Sequence, residues 1–131
     1  MIGIDTNVLV RYIVQDDPKQ TPIATAFLEN NCTAEHPGRV CLLVLCELVW
    51  VLTRAYKYDS ETVIGVLENL LTTAELEVEQ SSLAWQALRA YRSGPAEFAD
   101  CLIAHANAAA GAEYTFTFDR RAGRHGLFRS A

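Results

Sequence analysis

Met1-Ile2-Gly3-Ile4-Asp5-Thr6-Asn7-Val8-Leu9-Val10 opens the chain, and its order of apolar and polar residues decides the fold class. A short apolar run that stops at a polar residue predicts a buried strand over Met1 to Ile4, ending at Asp5. Thr6 and Asn7 are suited to capping a helix, so a helix is expected from Val8 to about Val14, with Asp16-Asp17-Pro18 breaking it. The same succession of strand and carboxylate returns late in the chain. Thr115-Phe116-Thr117-Phe118 is β-prone and ends at Asp119.

Working outward from these two ends, helices are expected over Pro22 to Glu29, Val44 to about Ala55, from Asp59 or Ser60 onward, and from Ser81 or Ser82 to Tyr91. The third of these carries Val63, Val66, Leu67, Leu70 and Leu71 at the spacing of one helix face. Gly94-Pro95 predicts the start of a last helix, because proline suits the first helical position, and Gly111 its end. Arg39 to Leu43 and Leu76 to Val78 are expected strands, and Leu127-Phe128 a short edge strand. Strands that alternate with helices imply an α/β fold, a mainly parallel sheet with helices on both faces. No repeat or Pro/Gly-rich linker divides residues 1–131, so a single domain is expected.

Half of the residues are apolar and 21% are charged, which supports a buried core and excludes a disordered chain. The net charge of -5 does not advertise a nucleic-acid surface. Its distribution says more, since Arg120, Arg121, Arg124 and Arg129 crowd the C-terminal end with His125 among them. The four cysteines, Cys32, Cys41, Cys46 and Cys101, form no CxxC pair and no zinc-finger spacing. With no basic leader and no apolar run of ~20 residues, a cytoplasmic protein without a membrane span is expected.

Four carboxylates stand out. Asp5 and Asp119 lie at predicted strand ends, where ligands bind in parallel α/β sheets, although each could equally cap the helical segment that follows. Glu47 is the one non-apolar residue between Leu42 and Leu52, so the helix reads as buried all round, with Glu47 either ion-paired to Arg54 or Arg11 or facing a pocket. Asp100 sits among Phe98, Ala99, Cys101, Leu102 and Ile103, a full turn inside its helix, with Glu97 on nearly the same face. Thr117 would share a strand face with Asp119 and could hydrogen-bond its carboxylate. Converging carboxylates repel, which a divalent cation would offset, and oxygen ligands favour Mg²⁺ or Mn²⁺ over zinc. Trp50, Trp85, Tyr56 and Tyr91 read as core or interface rather than as platforms for stacking bases.

The segments Ile4-Asp5-Thr6-Asn7-Val8-Leu9-Val10, Cys46-Glu47-Leu48, Phe98-Ala99-Asp100-Cys101-Leu102-Ile103-Ala104 and Thr115-Phe116-Thr117-Phe118-Asp119-Arg120, in this order, resemble a PIN domain, and specifically the VapC-type toxins of toxin–antitoxin pairs. The resemblance covers nearly the whole chain. It implies a three-layer α/β/α sandwich and a Mg²⁺- or Mn²⁺-dependent endoribonuclease. It further implies that Asp5, Glu47, Asp100 and Asp119 are the catalytic, metal-binding quartet, supported by Thr6, Asn7 and Thr117. It also implies a homodimer and a protein antitoxin (VapB-like). Arg120, Arg121 and Arg124 are the candidates for contacts to RNA phosphates. Within the family, a solitary RNA-processing nuclease or a non-catalytic binding module is the alternative. A haloacid-dehalogenase-type phosphatase would need an acid where Asn7 stands, and a receiver domain a late lysine, whereas the last lysine is Lys57.

Overall fold

The computed structural model describes residues 1–131 and forms two compact units, Met1–Glu79 and Gln80–Ala131. In the first, the order is β1 (Ile2–Gly3), α1 (Thr6–Val14), α2 (Gln20–Asn31), β2 (Gly38–Val40), α3 (Leu42–Arg54), α4 (Ser60–Thr72) and β3 (Leu76–Val78). The second contains α5 (Ser81–Ser93), α6 (Phe98–Ala109), β4 (Thr115–Thr117), a 3-10 turn (Ala122–Arg124) and β5 (Phe128–Ser130).

The strands of the first unit pair in the order β1-β2-β3, all parallel, with Gly3 opposite Arg39 and Arg39 opposite Glu77. Parallel neighbours need long crossovers, which the intervening helices supply. The apolar residues that fill this core are Leu9 and Val10 of α1, Leu28 of α2, Leu45, Leu48 and Leu52 of α3, Val63 and Leu67 of α4, and Val40 and Val78 of the sheet. The opening strand is less enclosed than its composition suggests. Ile2 is exposed and only Ile4 is buried, because β1 proper is two residues long and has one partner, β2. Gly38 is required by packing, since a Cβ there would lie 2.9 Å from Cys32 Sγ and 3.0 Å from Ile4 Cγ1.

Helix α3 begins two residues earlier than expected, directly after β2. Its cap residue Cys41 offers no side-chain acceptor, and Glu79, just past β3, does this from a distance: its Oε1 accepts the Leu42 N–H at 2.8 Å. A carboxylate at a helix N-terminus satisfies an orphan donor and complements the helix dipole. Glu79→Ala is therefore expected to cost about 1 kcal/mol, as a lost cap does. Urea unfolding measures it, and an unchanged midpoint would deny Glu79 that role.

In the second unit α5 packs on α6, and β4 pairs in parallel with β5, Thr115 opposite Phe128 and Thr117 opposite Ser130. Ala104 of α6, Ala122 of the turn and Phe128 of β5 form a small apolar cluster that seats the turn. Gly123 permits this closeness, because a Cβ there would meet Ser130 Cβ at 2.7 Å. Helix α5 starts at Ser81, as expected, after Gln80, which takes a left-handed conformation at φ 44° and gives no side-chain cap.

Candidate active site

The first unit presents Asp5 and Glu47 through a shared threonine. The last ladder bond of β1, Ile4 N–H to the Arg39 carbonyl at 2.9 Å, leaves Asp5 at the carboxyl end of the strand. Asp5 is the residue that caps α1: its Oδ1 accepts the Thr6 N–H at 2.8 Å, so the helix starts at Thr6 rather than Val8. The buried Thr6 hydroxyl then donates to Glu47 Oε1, also at 2.8 Å. One residue thereby fixes an oxygen of each acid, Asp5 through its backbone N–H and Glu47 through its hydroxyl, and leaves Asp5 Oδ2 and Glu47 Oε2 available. Asn7 follows on the same helix and is exposed.

Glu47 is not a charge stranded in a core. Its helix buries Val44, Leu45, Leu48, Val49 and Leu52, but Leu43, Glu47 and Trp50 share an open face, with Leu43 70% and Trp50 61% exposed. Residues spaced by four and three positions line one side of a helix, so the apolar composition concealed a face that the core does not cover. Arg11 does not pair with Glu47. It is engaged instead by Gln20, Tyr56, Asp16 and Asp17. Trp50 is accordingly not a core residue.

The second unit brings Asp100 and Asp119 into electrostatic contact. Helix α6 starts at Phe98, later than Gly94-Pro95 suggested, because Glu97 is extended at ψ 162° and stands at the cap position. Asp100 therefore lies in the first turn, not a turn further in, and its carboxylate accepts the backbone N–H of Glu97. Asp119 is held by its own chain: Oδ1 accepts the N–H groups of Arg121 at 2.8 Å and Ala122 at 3.2 Å, capping the 3-10 turn. Thr117 does not bond that carboxylate. Its hydroxyl accepts the Asp119 N–H at 3.0 Å, fixing the strand end instead.

Partial burial raises the Asp100 carboxyl above its ordinary range, and the charges of Asp119 and Glu97 raise it further. Arg121 and the Glu97 N–H oppose the rise without cancelling it. Arg121, a candidate for phosphate contact, also has a local role that no sequence pattern announces, since its Nε donates to the Pro95 carbonyl. Arg120 and Arg124 are exposed. Next to Asp100, the buried Cys101 thiol is pushed up to about 11, first by burial and then by the Asp100 charge.

The donors suit a hard divalent cation. Burial and the charges of Asp119 and Glu97 raise the Asp100 carboxyl, an excess of negative charge that Mg²⁺ or Mn²⁺ would offset, and soft ligands do not compete. No three His, Cys, Asp or Glu side chains stand close enough together to grip an ion by themselves. Two oxygen-donor sets are thus present, Asp5 with Glu47 and Asp100 with Asp119, each oriented by hydrogen bonds from its own unit.

Comparison with known proteins adds two findings. The family model described as PIN domain matches residues 2–126, a span that includes parts of both units. The VapC ribonuclease of Aquifex aeolicus (strain VF5) is 28% identical over 118 residues, covering 90% of this chain and 87% of the relative.

Proposed function

Because the chain belongs to the PIN domain family, with the three-layer α/β/α class expected from its sequence, we propose that it is a Mg²⁺- or Mn²⁺-dependent endoribonuclease, the toxin of a toxin–antitoxin pair. In this reading Asp5, Glu47, Asp100 and Asp119 are the catalytic, metal-binding carboxylates, and residues 1–131 act as a single nuclease domain. The observation that carries it is Asp100, a half-buried acid whose neighbours Asp119 and Glu97 oppose its ionisation. Such a group is the mark of a site that awaits a cation. The likeness to a VapC ribonuclease supports RNA as the substrate and an antitoxin as the partner.

A bound divalent cation would contribute Lewis acidity, lowering the pKa of water and neutralising charge on a phosphate. The chain's own residues do the positioning. Thr6 holds one oxygen of Asp5 and one of Glu47, so that neither carboxylate must be ordered when substrate arrives. The Glu97 N–H orients Asp100, and the N–H groups of Arg121 and Ala122 orient Asp119. Asn7 and Thr117 support these acids, and Arg120, Arg121 and Arg124 provide positive charge for RNA phosphates. The open apolar side chains Leu43 and Trp50 beside Glu47, and Ile23 on α2, support contact with a second copy and with an antitoxin. No helix is long and apolar enough to cross a membrane; the proposed place of action is the cytoplasm.

The test is cleavage of a labelled RNA, with Mn²⁺ or Mg²⁺ required and a chelator abolishing it. Growth arrest on expression should be relieved by co-expressing the antitoxin. Absence of metal-dependent cleavage by the wild type would overturn the proposal. A subtler outcome concerns Thr6→Val, which keeps the backbone donor to Asp5 and removes the hydroxyl bonded to Glu47. Losing one hydrogen bond to a charged group is expected to lower kcat/KM about tenfold. An unaltered value would show that Glu47 needs no such support.

A further inference from the structure

The second unit contains an open groove of about 510 Å³ whose walls include Arg89, Arg124, His105, His125, Gln86 and Ser93, and no aspartate or glutamate. In a chain of net charge -5, that is a concentration of positive charge and donors against the overall balance. Neither arginine is paired with a carboxylate. The histidines stand edge to face with ring centroids 5.5 Å apart. His125 Nδ1 accepts the Leu127 N–H at 3.1 Å, which leaves Nε2 as the protonated, donating nitrogen. His105 Nε2 is buried and has no hydrogen-bond partner, a condition that costs stability unless a ligand or water meets it.

The groove is joined to the carboxylates by two short pieces of chain. Pro95 lines it and also gives its carbonyl to Arg121. The turn whose start Asp119 caps runs directly into Arg124 and His125. We propose that this groove binds a backbone phosphate of the RNA substrate, separate from the phosphate that is cut, with Arg89 and Arg124 supplying charge and the two imidazoles hydrogen-bonding capacity. This rests on the ribonuclease reading given above. Phosphates are bound through guanidinium forks and neutral donors together, and contacts made to a phosphate do not read base identity, so the groove gives grip and register rather than sequence choice.

The experiment uses the full chain and a labelled single-stranded RNA. The double variant Arg89→Ala/Arg124→Ala is expected to raise KM about tenfold with kcat at saturation close to wild type, and to reduce the salt slope of log(kcat/KM) by about 1.4, two contacts' worth for single strands. Arg89→Lys/Arg124→Lys keeps the charge and should keep most of the slope, and equal melting temperatures show that the fold is intact. An unchanged KM and slope in the alanine variant, while Asp100→Asn abolishes cleavage, would overturn the groove and leave the ribonuclease reading standing. Should the wild type cut no RNA, that reading fails, and fluorescence anisotropy then decides the groove: weaker RNA binding by the alanine variant supports it, equal binding ends it. Competition by inorganic phosphate at concentrations that do not alter ionic strength would show that the groove takes a free ion as well as a strand.

Discussion

Asp100→Asn is expected to reduce metal-dependent RNA cleavage on the order of 10³-fold, since stabilisation by a cation amounts to several kcal/mol and each 1.36 kcal/mol is about tenfold in rate. In metal-free buffer at neutral pH the same change is expected to raise the melting temperature. The folded-state pKa of Asp100 lies above its ordinary value of 3.8. A carboxyl raised on folding contributes stability while it is protonated, fully so below the unfolded pKa, and that contribution is lost as pH rises through the folded pKa. At neutral pH the wild type therefore carries an ionised group that the fold disfavours, and asparagine removes the charge while keeping an acceptor for the Glu97 N–H. The difference in melting temperature between variant and wild type should be small in acid, where both are neutral at this position, and grow above the ordinary carboxylate range. Saturating Mn²⁺ should reverse its sign, because ligand at ~100 times Kd adds about 2.7 kcal/mol to whichever protein binds it. Cleavage by the variant within tenfold of wild type would remove Asp100 from the centre.

Phe98→Ala is expected to cost about 3–5 kcal/mol, the largest single-residue effect on stability foreseen here. Phe98 is 1% exposed and opens α6 two residues before Asp100, with its ring edge to face against Tyr91 at 6.0 Å. Its removal leaves a cavity between α5 and α6 and loosens the turn that carries Asp100. Denaturant midpoints measure the loss, while Phe98→Leu should restore most of it. Metal-dependent cleavage should fall with Phe98→Ala even below the unfolding temperature, because a frayed first turn no longer holds Asp100 beside Asp119. A variant of full stability would mean that the core closes over the gap.

The strand ends were legible because a β-prone run stopping at a carboxylate is a local signal: Asp5 and Asp119 follow the strands foreseen for them. Helix caps were less so. Asp5 and Asp59 accept N–H groups as aspartates at such positions do, but Gly94-Pro95 read as a helix start was overruled by the extended backbone at Glu97. The proline carbonyl instead meets Arg121, a contact between residues 26 apart that no local pattern announces. Glu79 at Leu42 is the same kind of event, 37 residues apart. Glu47 was misjudged for a different reason. Composition cannot distinguish an apolar residue in a core from one at an open face, and Leu43 and Trp50 are of the second kind.

Cys101 gives the acidic neighbourhood a bearing on redox chemistry. With its pKa at about 11 and no exposed surface, only about one thiol in ten thousand is ionised at neutral pH. The thiolate is the species that peroxide and alkylating agents attack. The Cys101 sulfur is thus inert first because it is buried and then because of the Asp100 charge beside it, and oxidative stress would spare this corner of the protein.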